Sequence, residues 1–282
     1  MDDLVIRGGT IIDGTGGAPI ESDIAVVDGK ISEVGNDLAK GVEEIDAKGK
    51  IVTPGFIDPH THYDAQITWS KSLSPSSWNG VTTAMVGNCG VGFAPCKPDE
   101  RDLLVKLMEG VEDIPEVVLT EGLPWNWESF EDYIESVDGR EYDLDVATQV
   151  PHAAVRTFVM GERALNHEQA TPEEREEMGR IAAAGIKSGA LGFSTSRTIN
   201  HRTKAGEYTP TLKAAEEELA VIGEHLGRAG SGWIQVISDF DDPKAEFAMF
   251  KRVNARAKCP MAVTIFQRDN QPGVWRYVLS GI

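Results

Sequence analysis

A chain of 282 residues with 41% apolar side chains has enough material for one large α/β domain or two smaller ones, so core size is not limiting. Its 27 basic against 45 acidic residues leave a formal charge of -18, which argues against an electrostatic grip on nucleic acid or anionic membranes and favours a small-molecule partner. Three cysteines, an acidic N-terminus without a charged-then-apolar leader and no bilayer-length apolar run predict a cytoplasmic protein with no disulfide framework and no membrane role.

Residues 1–50 alternate short β-rich runs with glycine turns: "LVIRGGTIID", then "IAVVDGKISEVG", where Asp28-Gly29 signals a hairpin, then "EEIDAKGK". They predict a small antiparallel unit. From residue 51 the pattern changes, because apolar strand candidates alternate with longer helical patterns, as in repeated βα units around a parallel sheet. The expected strands are 51–58, 81–87, 143–150, 190–195, 232–238 and 260–266. "TPEEREEMGRIAAAGIKSG" predicts a helix capped by Thr171, with Pro172 in the first turn and Glu174 as the capping-box acid. "TPTLKAAEEELAVIGEHLGRAG" repeats the Thr-Pro opening and closes on Gly230. Residues 97–139 form an acidic, aromatic insertion that predicts two helices and a lid-like loop carrying Trp125 and Trp127, with core packing as the plainer use of both rings. Six βα units fall short of the eight that close a barrel, so residues 51–282 are expected to be an incomplete (β/α)8 TIM-type barrel and the chain a portion of a longer protein.

The stretch "TPGFIDPHTHYDAQ" uses two of the chain's six histidines one residue apart, at the end of the first barrel-like strand. Side chains two apart on a strand share a face, so His60 and His62 converge, with Asp58 on the same side if the strand continues. A barrel places its chemistry at these C-terminal strand ends, and convergent imidazoles suit a borderline metal. Cys89 in "VTTAMVGNCG" ends the next strand, which sets its sulfur beside the histidines as a third zinc ligand. Cys96 is expected to be an inert buried thiol.

"PGFIDPHTHYD", "GVTTAMVGNCGVGFAP", "VPHAAVRTFVMGERA" and "GALGFSTSRT" together resemble the amidohydrolase superfamily, and within it the D-aminoacylase branch of N-acyl-D-amino-acid deacylases. HxH alone marks only the superfamily, whereas GNCG with GFST is far more selective. The resemblance implies a (β/α)8 barrel with a small β-sandwich built from both chain ends, to which residues 1–50 contribute. It also implies zinc, and hydrolysis of linear amide bonds of an N-acyl amino acid substrate. His60 and His62 match the superfamily's metal pair and Cys89 the branch's metal-bridging thiolate. The branch supplies further histidines after its fifth and sixth strands, but here those ends read "WIQVISDF" and "AVTIFQRDN". Asp239, Gln235 and Gln267 are the oxygen donors available there. The branch's catalytic Asp comes from the last barrel strand and would lie beyond Ile282, so the isolated chain is expected to be inactive.

A substrate carboxylate needs a cationic clamp, for which "GFSTSRTINHR" offers Arg197, His201 and Arg202 on the presumed active face. Arg197 and His201 are the chosen candidates, with pairing to surface acids as the plain alternative. His152 in "VPHAAVR" is a third candidate for substrate binding, or a packed histidine. A hydantoinase-like cyclic-amide hydrolase would need a modified lysine on the fourth strand, absent from "ALGFSTS", and a mononuclear deaminase would need the fifth-strand histidine. The remaining rival is a non-catalytic relative that keeps the barrel as a binding module.

Overall fold

The computed structural model describes residues 2–267 and 272–281. Two compact units divide the chain, Met1–Phe56 and Ile57–Ile282.

The first unit contains β1 (Leu4–Ile11), β2 (Ile20–Val27), β3 (Lys30–Gly35), β4 (Glu43–Asp46) and β5 (Ile51–Val52). Asp28 and Gly29 both take positive φ, as the tight two-residue β2–β3 hairpin requires. The unit is mixed, however, because β4 and β5 both run parallel to β1. A hairpin signal governs only adjacent strands. The longer connection after β3 carries the chain to the far side of β1, and Arg7 holds it there through the Leu38 and Ala39 carbonyls at 2.8 and 3.0 Å.

The expected strand 51–58 is two short strands in two sheets. Ile51–Val52 pairs with β1, whereas Phe56–Asp58 (β6) begins the barrel sheet. Pro54 lies between them and has no N–H to offer a ladder.

The second unit continues with β7 (Val81–Val86), β8 (Asp145–Pro151), β9 (Gly192–Arg197), β10 (Ile234–Ser238) and β11 (Met261–Thr264). Strand order follows the chain, β6 to β11, in a curled parallel sheet that forms an incomplete TIM-type barrel. Its helices are α1 (Gln66–Trp69), α2 (Arg101–Glu112), α3 (Glu116–Gly122), α4 (Phe130–Asp138), α5 (His152–Met160), α6 (Glu162–Leu165), α7 (Pro172–Lys187), α8 (Glu216–Ala229), α9 (Pro243–Ala257) and α10 (Val274–Gly281). The α7 capping box forms as expected, Thr171 and Glu174 each satisfying the other's backbone N–H.

The second Thr-Pro does not open a helix. Helix α8 starts at Glu216, and residues 209–214 are instead pinned as a loop: Thr209 N donates to His201 O, Thr211 Oγ1 to Ser196 O and Arg156 Nη1 to Pro210 O. Tertiary partners for these groups outweigh a local capping preference. The insertion carries three helices, α2 to α4, rather than two. Trp127 is buried with its Nε1 donating to Phe93 O, and Trp125 meets Phe93 edge-on and lies tilted against Trp127, so both rings pack.

Strand β9 shows how the sheet organises its surroundings. Ser194, Thr195 and Ser196 are all fully buried, and alternation sends their hydroxyls to opposite faces. Ser194 bonds Gly87 O and Gly90 N, and Ser196 bonds His201 Nδ1. Thr195 turns the other way and bonds His152.

Candidate metal centre

His60 and His62 follow β6 on an extended segment rather than lying on the strand itself. Thr61 fixes their common direction. It is buried between them and gives both its backbone N–H and its hydroxyl to Met85 O, at the end of β7. Asn88 adds a bond to Thr61 O. Alternation about this anchored residue leaves the two imidazoles on one side, with ring centroids 5.3 Å apart. Asp58 does not join them: its Oδ1 folds back to accept from His60 N at 3.2 Å.

Cys89 sits in the tight turn after β7 with φ +58, a conformation that L residues seldom adopt. The flanking glycines of "GNCG" explain the motif. Gly87 and Gly90 also take positive φ, and a Cβ on either would collide with backbone, Gln149 O for the first and Thr195 Cα for the second. Gln235 Oε1 accepts from Cys89 N at 2.9 Å and so holds the strained residue. The sulfur thereby lies 3.0 Å from His60 Nε2. One donor atom each from His60, His62 and Cys89 falls within 4.8 Å of the others, and this is the group with metal-ligand spacing among the described residues.

The electrostatics match that geometry. Burial lowers the His62 pKa to about 3, helped by His60 and His201, and burial lowers His60 as well. Burial brings His201 to about 4, with Asp239 opposing the shift and His60 adding to it. Both HxH imidazoles are therefore neutral near pH 7, the form that binds metal. Burial, then Glu112 and Asp64, push the Cys89 thiol far up, so the sulfur keeps its proton until a cation displaces it. Two carboxylates near this centre were not singled out from the sequence. Burial raises Asp64 to about 7; its Oδ1 accepts from Gly87 N at 2.7 Å, and its buried Oδ2 has no hydrogen-bond partner among the described residues. Burial, then Asp64 and Asp113, raise Glu112 to about 8. Asp64 stood inside the HTHYD stretch, but Glu112 had no local signal, being fifty residues away in sequence from His62.

Gln235, the second residue of β10, and Asp239, just after the strand, are engaged elsewhere. Besides holding Cys89, Gln235 donates to Thr264 Oγ1, which lies 3.5 Å from His60 Nδ1. Asp239 accepts from Thr198 Oγ1 and Ile199 N at 2.6 and 2.7 Å, bracing the loop after β9. Gln267 is exposed, and the last three residues of "AVTIFQRDN" lie outside the described residues.

Of the substrate-binding candidates, His201 is within electrostatic reach of His60 and His62, its Nδ1 bonded to Ser196. Arg197, the last residue of β9, gives Nη1 to Ala214 O at 3.1 Å and approaches Glu246 at 3.7 Å. His152 is fully buried on the Thr195 side of β9. Its ring bonds Thr195 Oγ1 at 2.8 Å and Glu218 Oε1 at 2.9 Å, and Glu218 also accepts from buried Arg156 at 2.9 Å.

This internal cluster predicts acid sensitivity. Burial holds the His152 pKa below its ordinary 6.5, so the unfolded chain takes up a proton there that the native state refuses. Burial alone would raise Glu218, but His152 and Arg156 outweigh it and hold it below 4.5, in the same acid-labile sense. The contribution of this cluster is expected to be fully present above pH 6.5 and to be lost as pH drops below it, so the difference in melting temperature between wild type and His152→Gln should narrow as pH falls below 6.5 in a calorimetric series.

A curled parallel sheet whose strand ends gather two imidazoles and a thiol defines a barrel protein with a candidate metal centre. The sequence matches the Amidohydrolase family over residues 43–280, and the chain belongs to that family. It is 31% identical to the D-aminoacylase of Alcaligenes xylosoxydans xylosoxydans over 230 residues, which cover 81% of this chain and 43% of that protein. The N-acyl-D-aspartate deacylase of the same organism is also 31% identical, with 85% and 44% covered. The solved N-acyl-D-glutamate deacylase of Bordetella bronchiseptica, complexed with zinc and a phosphonate inhibitor, superposes with a TM-score of 0.75 at 26% identity, covering 99% of this chain and 55% of that one. The chain thus spans about half the length of these relatives.

Proposed function

We propose that the chain carries the metal-ligand half of a zinc-dependent deacylase that hydrolyses the linear amide of N-acyl-D-amino acids. The observation that carries this reading is the approach of His60 Nε2 to Cys89 Sγ at 3.0 Å, with His62 completing the group. Two neutral imidazoles and a thiol that sheds its proton to a cation fit zinc in both donor type and charge. Bound zinc would activate a water and polarise the scissile carbonyl. The chain's own residues hold the ligands in place: Thr61 sets the imidazoles, Gln235 sets Cys89, and Ser196 sets His201. His201, within electrostatic reach of His60 and His62 and neutral near pH 7, is the candidate for giving the substrate carboxylate a single ring N–H hydrogen bond and not a cationic clamp. Arg197 would have to leave Ala214 and Glu246 to assist, and His152 supports β9 from behind rather than touching substrate. Cys89, Cys96 and Cys259 are all free thiols, which supports a cytoplasmic setting, and among the described residues no helix is long and apolar enough to cross a membrane.

The isolated chain is expected to bind zinc and yet not turn over, since the branch's proton-shuttling Asp belongs to a later strand. Purified chain with added zinc should release no D-amino acid from N-acetyl-D-amino acids beyond a His60→Ala control; release above that control would refute the expected inactivity. A second reading, a non-catalytic binding module, is favoured by the lack of histidine in "WIQVISDF" and "AVTIFQRDN", where the resemblance to the branch implies two further ligands. Stoichiometric zinc by elemental analysis, lost in His60→Ala, supports the deacylase centre, and metal-free protein supports the module.

A further inference from the structure

We infer that Glu112, delivered by the inserted helix α2, is a positioning residue that orients the His62 imidazole for a bound cation; this rests on the metal-centre reading above. Glu112 is the last residue of α2, and its Oε1 lies 3.0 Å from His62 Nδ1 with both side chains largely buried. The ring N–H is not yet in line with the carboxylate, so Nδ1 makes no formed hydrogen bond, and a small ring rotation would complete one. Glu112 is not a member of the group whose donor atoms lie within 4.8 Å of one another. It meets His62 from outside that group. A carboxylate on one ring nitrogen fixes the ring's direction, leaves the other nitrogen for the metal and makes it more basic. His60 has its own support in the same sense, with Nε2 toward Cys89 and Nδ1 3.5 Å from Thr264 Oγ1.

The helix that brings Glu112 is locked in place, not poised as a lid. Leu104, Val105, Leu107 and Met108 bury one face of α2. Gly110, two residues before Glu112, packs so closely on the loop after β9 that a Cβ would collide with Arg202 O and the Thr203 backbone. Beside it, Glu109 pairs with Lys204 at 2.9 Å. The missing side chain at Gly110 thus lets α2 approach the loop that carries His201, and that approach sets Glu112 against His62. Among the described residues no arginine or lysine pairs with Glu112, and the side chain beside its carboxyl is the neutral His62 ring.

Zinc affinity of the full chain, measured against a competing chelator, tests this together with the spectrum of the cobalt-substituted protein. Glu112→Ala should weaken zinc binding roughly 10- to 100-fold and shift the cobalt ligand-field bands while keeping the thiolate-to-cobalt band. Glu112→Gln, whose amide oxygen still accepts from the ring, should lose less. Gly110→Ala, which must displace α2 without touching any ligand, should weaken zinc in the same direction. Glu112→Ala with affinity within about twofold of wild type and an unchanged cobalt spectrum would overturn the inference while leaving the metal centre intact. Wild-type protein that binds no zinc would overturn both. Should Glu112→Ala fail to fold, the Gln and Gly110 variants decide.

Discussion

Glu218→Ala is expected to lower the unfolding free energy by about 3–5 kcal/mol, among the largest losses a single substitution can cause here. The carboxylate is fully buried and accepts from Arg156 Nε and His152 Nε2, both at 2.9 Å. Removing it strands the Arg156 guanidinium in the interior with only the carbonyls of Ala164, Pro210 and Glu168 to receive it. An uncompensated buried charge costs far more than the pair contributes, so the size of the loss reflects the orphaned arginine and not the worth of the ion pair. The contrast that proves the point is Glu218→Leu with Arg156→Met, which removes both charges and should recover most of the loss. Urea unfolding at pH 7.5 measures both, and a single-mutant loss below about 1 kcal/mol would mean that water or a shifted helix satisfies Arg156. Because His152 ties the same carboxylate to Thr195, the variant should also loosen β9, whose other face holds Gly90 and His201.

Cys89→Ala is expected to weaken zinc binding by more than about 100-fold, beyond the roughly 10- to 100-fold losses that follow changes outside the ligand shell. The thiol supplies the soft donor of the group, and its proton is the one a cation must displace. Alanine keeps the same Cβ, so the left-handed strain at φ +58 is unchanged and the loss belongs to the sulfur alone. Metal-free stability should fall by only about 1 kcal/mol, since deleting the buried sulfur leaves a small void. Competition with a chelator reads the affinity, and retention of tight zinc in this variant would remove Cys89 from the centre.

Local chemistry made the outline legible before any coordinates. The Asp28-Gly29 hairpin, the α7 capping box, the α8 stop at Gly230 and the positions of most barrel strands all rest on signals within a few residues, where propensity and hydrogen bonding decide alone. Long-range partners altered the rest. Pro54 split one expected strand between two sheets, and β4 and β5 joined β1 in parallel because pairing across a long connection has no local signature. Thr209-Pro210 carries the same letters as Thr171-Pro172 and yet stays a loop, held by Arg156, Ser196 and His201.

The same division runs through the site. Alternation along "PHTH" and the glycines of "GNCG" were enough to nominate His60, His62 and Cys89, since each motif carries its own backbone geometry. Whether the three donors converge depended on Thr61 reaching Met85 O and Gln235 reaching Cys89 N, bonds between strands that sequence spacing does not encode. The arrival of Glu112 at His62, and the burial of His152 behind β9, depended on helix packing through Gly110 and on which face of one strand Thr195 takes. Sequence determined the donor types and most of the local elements that carry them, because both follow from residues near one another along the chain. Tertiary structure decided which side chains share a space, because burial and hydrogen-bond satisfaction are settled between elements far apart in it.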